Sequence, residues 1–212
     1  MQAAAQTPPS SYDIESYEGL HRAAHNGDVD AVRKLAASGA DLEARDAAGR
    51  TPLHVAAFAS HDDVLRALAE AGADLNAFEH QAYDIVTIAA VGDDLELLDM
   101  ALTLGAKAGN VTSPYDGTAL IAAAHLGHYE VVQRLIGAGA PLDHVNNLGW
   151  TALIEAVVLG NGGPAHIETV RALVDAGADR TIADGQGVTP LEHARRRGYA
   201  EIAAALSTAK TR

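Results

Sequence analysis

Cysteine is absent from the 212 residues of this chain. A disulfide bond, a thiolate nucleophile and a zinc site with cysteine ligands are therefore all excluded. The absence is compatible with any cellular compartment, so it does not decide where the protein works.

Aromatic residues are also scarce. They make up 4% of the chain, with two phenylalanines and one tryptophan, although 48% of the residues are apolar. Alanine, leucine, valine and isoleucine must therefore fill the interior. Such a composition favours thin helices stacked closely together over a thick globular core.

No apolar run is long enough to span a bilayer, so we expect a soluble protein that does not enter membranes. Acidic residues outnumber basic ones, 28 Asp and Glu against 15 Lys and Arg, and the formal net charge is −13. Because this charge repels phosphates, it argues against binding to nucleic acid. It favours a partner that presents a basic surface.

Familiar enzyme signatures are missing as well. The sequence has no glycine-rich phosphate loop before a lysine, no Gly-x-Ser-x-Gly elbow and no His-Glu-x-x-His helix. Two acidic pairs, Asp62–Asp63 and Asp93–Asp94, precede helical segments. Carboxylates there favour the positive end of a helix, so we interpret them as helix-start residues and not as catalytic pairs. We predict no catalytic residue and no cofactor.

What the sequence does contain is a repeated pattern, which is clearest in residues 46–77. Thr51 and Pro52 are typical of a helix start, because the hydroxyl can cap a free backbone N–H and proline fits the first helical position. Gly72 suits the left-handed backbone that ends a helix. Equivalents of Thr51 recur at spacings of 33, 34, 33 and 38 residues, at Asp84, Thr118, Thr151 and Thr189. The helix-ending glycines keep the same phase, at Gly39, Gly72, Gly105, Gly139 and Gly177.

With Thr51-Pro52-Leu53-His54 near its start and a period of about 33 residues, this unit resembles an ankyrin repeat. The resemblance covers residues 13–207 and implies an all-α fold, an ankyrin-repeat solenoid of stacked helix-turn-helix units joined by β-hairpin-like loops. We place six repeats in a single domain, at residues 13–45, 46–78, 79–111, 112–145, 146–183 and 184–207.

Each repeat should form two antiparallel helices. Pairs of alanines on the first helix, such as Ala56–Ala57, let neighbouring repeats approach closely, and apolar residues on the second helix, such as Val131 and Leu135, bury between repeats. Stability then comes from stacking, because one repeat cannot bury its own apolar face. About five extra residues in repeat five, around residues 161–165, predict a loop insertion between its two helices.

Ten histidines make a metal site the first alternative to consider. His21 and His54 hold the position where the ankyrin pattern expects a histidine bonded within the loops. His125 and His128 are three residues apart at the turn between two helices, but no carboxylate or third histidine stands nearby in sequence to complete a metal shell. We predict no metal ligand. A metal-dependent or enzyme-associated protein that uses His125 and His128 stays as an alternative.

The predicted site is a surface. In proteins that this chain resembles, partners dock on the concave side, which is made of hairpin tips and the exposed face of the first helices. Register places nine residues there: Arg45, Arg50, Phe58, Phe78, His80, Tyr83, Tyr115, His125 and Trp150. Exposed Trp, Tyr and Arg often anchor interfaces, so we predict a non-catalytic module that binds a partner protein through this face. The competing interpretation is that aromatics such as Trp150 pack on the next loop.

The two ends of the chain lead to weaker expectations. Residues 1–12 have the composition of a flexible leader, and residues 208–212 of a short tail. Small residues before Gln6 are typical of the chain beside a cleaved signal peptide, which slightly favours a periplasmic or secreted protein over a cytoplasmic one. Arg195–Arg197 in the last repeat are interpreted as a polar terminal cap. We expect a monomer, with a self-assembling structural subunit as a further alternative.

Overall fold

The computed structural model describes residues 6–207, and helices dominate this range. It divides into two compact units, the first reaching Gly92 and including Glu96–Lys107, the second made of Asp93–Leu95 and the residues from Ala108 onward. The single domain proposed for residues 13–207 stays a prediction. None of the helices within residues 6–207 combines the length and the apolar character that a bilayer crossing requires.

Paired helices make up both units. Up to Leu104 the helices are α1 (Ser11–Ser16), α2 (Gly19–His25), α3 (Val29–Ala37), α4 (Pro52–Phe58), α5 (Asp62–Glu70), α6 (Ile85–Gly92) and α7 (Leu95–Leu104). A two-residue antiparallel ladder joins β1 (Val111–Thr112) to β2 (Gly117–Thr118). The remaining helices are α8 (Ala119–Leu126), α9 (Tyr129–Gly137), α10 (Ala152–Val158), α11 (Pro164–Ala176), α12 (Pro190–Arg197) and α13 (Ala200–Ser207).

The helix starts at Asp84, Thr118 and Thr151 follow the predicted capping. The hydroxyls of Thr118 and Thr151 each accept a hydrogen bond, at 3.3 Å, from a backbone N–H three residues ahead. Asp84 caps α6 in the same way, because its carboxylate accepts from the N–H of Thr87 at 2.8 Å. The insertion predicted in repeat five is also present, since α10 ends at Val158 and α11 begins at Pro164.

Small side chains let the first helices of neighbouring repeats pack together. Helix α4 lies against α2 and α6 in the first unit, and α10 lies against α8 and α12 in the second. The alanine pairs on these helices are buried, among them Ala56–Ala57 and Ala123–Ala124. On the second helices Val131, Val132 and Leu135 are fully buried, as the apolar spacing predicts.

Every hairpin loop is held by the side chain of its first residue. An oxygen of that side chain accepts hydrogen bonds from the backbone N–H groups two and four residues later. Asp46 and Glu79 do this in the first unit, at distances of 2.9 to 3.0 Å. Ser113, Asn146 and Asp184 do it in the second, at 2.9 to 3.4 Å. This oxygen satisfies loop N–H groups that would otherwise lack a protein partner.

Histidine links consecutive loops of the first unit, as the sequence predicts. The Nε2 atom of His54 donates to the carbonyl of Tyr83 at 3.2 Å, and His21 reaches the carbonyl of Arg50 at 2.9 Å. His54 is completely buried. Its Nδ1 accepts from the backbone N–H of Thr51 at 3.2 Å, so the neutral ring satisfies both of its nitrogens.

A second set of links reaches back from one repeat to the helix end of the repeat before it. His61 donates to the carbonyl of His25 at 2.9 Å, and His166 donates to the carbonyl of His125 at 3.0 Å. The imidazole of His166 sits so close to Gly127 that a Cβ there would come within 2.8 Å of it. Tyr199 completes the set with a hydroxyl bond to the carbonyl of Gly160 at 3.2 Å.

An ionic network centred on Arg50 holds the first described residues against the hairpin of repeat two. Arg50 is only 2% exposed, and its guanidinium lies 2.7 Å from the carboxylate of Asp46 and 2.9 Å from that of Asp13. It also donates to the carbonyl of Thr7, while the hydroxyl of Tyr17 donates to Asp46. Helix α1, which carries Asp13, is thereby tied to the hairpin of repeat two.

Helix α1 shows that the folded chain starts earlier than the sequence predicts. It begins at Ser11, and Ser10 forms a reciprocal capping box with Asp13, with bonds of 3.2 and 2.8 Å. The last two residues of the predicted flexible leader are thus helical. Residues 1–5 of that leader and the predicted tail at 208–212 lie outside the described residues.

The ionic network yields a stability prediction. Replacing Arg50 by alanine leaves the carboxylate of Asp46 buried without its counter-charge, so we expect the free energy of unfolding to fall by about 3 kcal/mol. Urea denaturation followed by circular dichroism measures the change. As a control, Lys34→Ala removes an exposed charge from α3 and should change the value by less than about 0.5 kcal/mol. Equal effects of the two substitutions would contradict the structural role of Arg50.

His54 yields a pH prediction. Burial lowers the pKa of His54 to about 4. The unfolded chain binds this proton near pH 6.5 while the folded chain does not, so stability is complete above about pH 6.5 and is lost as the pH falls toward 4. The loss is about 3 kcal/mol. His54→Gln removes the titrating group, and its unfolding free energy should fall less steeply over this window. If the unfolding free energies of wild type and His54→Gln changed equally with pH, the pH dependence would not come from His54.

Candidate partner-binding surface

Three of the predicted surface residues of the first unit lie on two neighbouring hairpins. Phe78 is 39% exposed, and its carbonyl accepts a hydrogen bond from the guanidinium of Arg45. His80 is exposed and its ring covers Gly49, where a Cβ would come within 2.3 Å of it. Its backbone N–H donates to the carbonyl of Ala48 at 3.0 Å, which holds the two hairpins side by side. Arg45, Phe78 and His80 therefore lie on one accessible patch.

Two predicted surface residues are buried, so their expected exposure is wrong. Arg50 is 2% exposed because it neutralises two carboxylates, and Tyr83 is 6% exposed. Both stand at the last position of a hairpin, directly before the helix cap. At the same position Gly117 and Val188 are also buried, and Trp150 is partly buried. At Arg50, Tyr83 and Val188 the side chain therefore faces inward, a direction that repeat register alone does not reveal, whereas Trp150 keeps part of its side chain exposed. Phe58, at the end of α4, is partly exposed.

In the second unit two neighbouring hairpins bring together Tyr115 and Trp150, both partly exposed. The backbone N–H of Asn147 donates to the carbonyl of Tyr115 at 2.9 Å. The side chain of Asn147 reaches the carbonyl of Pro114 at 3.1 Å, and His144 donates to the carbonyl of Asp116 at 2.6 Å. These bonds fix the two loops against each other, so their tips form one continuous surface.

Sequence reasoning missed two strongly exposed apolar residues of this surface. Val145 is 46% exposed and Leu148 is 40% exposed. Val145 directly precedes the first residue of its hairpin, as Phe78 does in the first unit, so the same register would have found it. Leu148 lies at a tip, in the register position of Tyr115. We refer to Tyr115, Val145, Leu148 and Trp150 as the hairpin patch.

His125 lies at the end of α8, beside a residue that sequence reasoning also missed. Its Nδ1 is 3.4 Å from a carboxylate oxygen of Glu155 on α10. Glu155 is 5% exposed and accepts a hydrogen bond from the side-chain amide of Asn146 at 2.9 Å. Burial raises the pKa of Glu155 to about 7, although the bond from Asn146 partly opposes this. The pKa of His125 is lowered, first by burial and then by the nearby His166.

His128, the second residue of the metal alternative, has different surroundings. Its Nδ1 lies 3.9 Å from a carboxylate oxygen of Asp93, whereas His125 faces Glu155. Across residues 6–207 no three His, Cys, Asp or Glu side chains are grouped in a way that could hold a metal ion. The two histidines therefore belong to separate pairs.

Comparison with known proteins identifies the repeat. The family model for ankyrin repeats (3 copies) matches residues 5–79 and 86–184. The ankyrin repeat protein YahD of Escherichia coli (strain K12) is 36% identical over 188 residues, which are 88% of this chain and 93% of YahD.

Solved structures agree in fold. An ankyrin repeat domain from Acinetobacter baumannii AYE has a TM-score of 0.83 and 44% identity, covering 88% of this chain and 95% of that one. The ankyrin repeat protein EF0377 has a TM-score of 0.81 and 31% identity, covering 91% and 99%. A chain in the structure of the Bd0816 predatory endopeptidase from Bdellovibrio bacteriovorus in complex with immunity protein Bd3460 has a TM-score of 0.74 and 25% identity, covering 91% and 98%.

These matches confirm the all-α ankyrin-repeat solenoid that the resemblance to ankyrin repeats implies, and they include repeat proteins of bacteria. The chain belongs to the ankyrin repeat family.

Proposed function

We propose that this protein is a non-catalytic module that binds a partner protein through its hairpin loops and first helices, with the hairpin patch as the main contact. Ankyrin repeats are in general protein–protein interaction modules and are generally not enzymes. The observation that carries the proposal is the exposure of Val145 and Leu148 beside Tyr115 and Trp150, on two loops that are bonded to each other.

The hairpin patch has the composition of an interface centre. Fully burying a valine or leucine side chain contributes about 1.5–3 kcal/mol, and Tyr and Trp are enriched among the residues that dominate binding energy. The loops carrying them are held by their own hydrogen bonds, so little conformational entropy is lost on docking. Phe78, Arg45 and His80 offer a second, smaller contact in the first unit.

Charge favours a basic partner. The chain carries a net charge of −13, and such a field speeds the approach of positive surfaces and repels negative ones. The apolar patch then provides the affinity and the acidic surroundings select the partner. The similarity to a chain in the complex of Bd0816 with immunity protein Bd3460 supports a partner that is itself a protein.

A paired substitution tests the proposal. Val145→Ser with Leu148→Ser removes the two most exposed apolar side chains of the patch without touching its backbone bonds. Wild-type and variant proteins are immobilised, bound proteins from fractions of the source cell are identified by mass spectrometry, and the affinity of each purified candidate is measured by titration. We expect the variant to bind the partner at least about tenfold more weakly.

The matched control is Tyr129→Ser. Tyr129 is 38% exposed, lies in the same unit and begins the second helix α9 away from the hairpin tips. Circular dichroism checks that both variants are folded. If the control weakens binding as much as the double variant, or the double variant binds like wild type, the hairpin patch is not the contact.

A further inference from the structure

Glu155 departs from the pattern of the first helices. The same position holds Val55, Ile88 and Ala122 in the three preceding repeats. In the last repeat it holds His193, whose Nε2 lies 2.7 Å from the hairpin carboxylate of Asp184. Repeat six therefore pairs a carboxylate with an imidazole at this place.

Repeat five places its carboxylate on the helix and an amide on the hairpin. The orientation of Asn146 is set by its loop, because its Oδ1 accepts from the N–H groups of Leu148 and Trp150 at 3.1 and 3.0 Å. Its Nδ2 therefore faces Glu155 and donates to Oε1 at 2.9 Å. Since Oε1 accepts this bond, a proton taken up by Glu155 goes to Oε2, the oxygen 3.4 Å from Nδ1 of His125.

The position of that proton decides the tautomer of His125. When Glu155 is ionised, Oε2 accepts the Nδ1–H of His125 and Nε2 is left as an acceptor. When Glu155 is protonated, Oε2–H donates to Nδ1 and the ring carries its hydrogen on Nε2. The 3.4 Å separation is longer than an ordinary hydrogen bond, so either bond forms only when the imidazole turns closer to Oε2. The side chain of His125 is 21% exposed, so it carries the change from buried Glu155 to the surface.

We infer that Asn146, Glu155 and His125 form a proton-gated contact on the partner-binding surface of the second unit. With Glu155 ionised, Nε2 of His125 accepts a hydrogen bond from a lysine, arginine or other N–H donor of the partner. With Glu155 protonated, Nε2–H donates and this contact is lost. The role in binding rests on the proposed function, whereas the tautomer exchange takes place in the protein alone.

The transition falls near neutral pH. Burial raises the pKa of Glu155 to about 7, and the pKa of His125 lies below its usual range because of burial and His166. The imidazole is therefore neutral while the carboxyl titrates, and the exchange moves a proton without placing a charge on the ring.

The other ionisable groups on the helices around α10 are either bonded to a partner or exposed, so the transition near pH 7 is assigned to Glu155. Helix α8 contributes His125 alone. On α11, His166 is buried with Nε2 bonded to the carbonyl of His125, and on α12, His193 is paired with Asp184. The remaining charged side chains of these two helices are exposed, namely Glu168, Arg171, Asp175, Glu192 and Arg195–Arg197.

Nitrogen NMR of histidine rings tests the exchange directly, because the shifts of Nδ1 and Nε2 report which nitrogen carries hydrogen. The His125 signals are assigned with a His125→Gln variant and followed from about pH 5.5 to 8.5. We expect wild-type His125 to change from the Nε2–H to the Nδ1–H tautomer with a midpoint near pH 7. One tautomer throughout, or a protonated ring above pH 6.5, would overturn the inference.

Glu155→Gln is the matched variant. Asn146 donates to the glutamine carbonyl oxygen, so the glutamine amide donates to Nδ1 and holds His125 in the Nε2–H tautomer at every pH. Its urea midpoint should also exceed that of wild type at pH 8, because ionising buried Glu155 costs stability as the pH rises through 7. A pH-dependent tautomer in this variant would show that another group is responsible.

Partner binding separates this inference from the proposed function. Once the partner is identified, wild type should bind it about tenfold more tightly at pH 8 than at pH 6, and Glu155→Gln should bind it equally at both. The double variant Val145→Ser and Leu148→Ser should weaken binding at both pH values by the same factor. A wild-type affinity that is equal at the two pH values overturns the gate and leaves the hairpin patch as the contact.

Discussion

One hydrogen-bonding arrangement supports the rest of the molecule: a side-chain oxygen at the first position of each hairpin accepts the N–H groups two and four residues later. It closes a five-residue loop that has few ladder bonds of its own. It also sets which positions point inward. Because the last residue of the loop turns toward the core, Arg50 and Tyr83 are buried, whereas Phe78 and Val145, each just before its loop, face solvent.

In three of these loops, those of Asp46, Asn146 and Asp184, a second polar atom of the same side chain makes a different contact. In repeat two the free oxygen of Asp46 meets Arg50 and Tyr17, and the network draws in helix α1. In repeat six the free oxygen of Asp184 meets His193. In repeat five that atom is the amide of Asn146, and it faces a buried carboxyl. A common loop design thus supports three different local electrostatic environments.

Sequence analysis predicted the features that depend on residues close together in the chain. Thr118 and Thr151 cap helices, glycines end them, and the paired alanines are buried, since each of these effects operates within a few residues. It also placed His54 between loops. It could not predict that Arg50 is buried, because that depends on Asp13, which lies 37 positions earlier in the chain.

The candidate site was likewise predicted only in part from the sequence. Register located Phe78, Tyr115 and His125 near hairpins and helix ends. Val145 and Leu148 hold the same register positions as Phe78 and Tyr115, but they are ordinary apolar residues by sequence, and their exposure is what draws attention to them. Glu155 would be recognisable as an acid at a position that is apolar in repeats two to four. Its significance needs the positions of Asn146 and His125, which come from other parts of the chain.

The links made by His61, His166 and Tyr199 all point toward the amino-terminal side, each ring meeting a carbonyl of the repeat before it. During synthesis the acceptor is therefore already outside the ribosome when its donor emerges. At these three places a new repeat can bond to a neighbour that has already been made, whereas the bonds of His21 and His54 form only after the following loop has emerged.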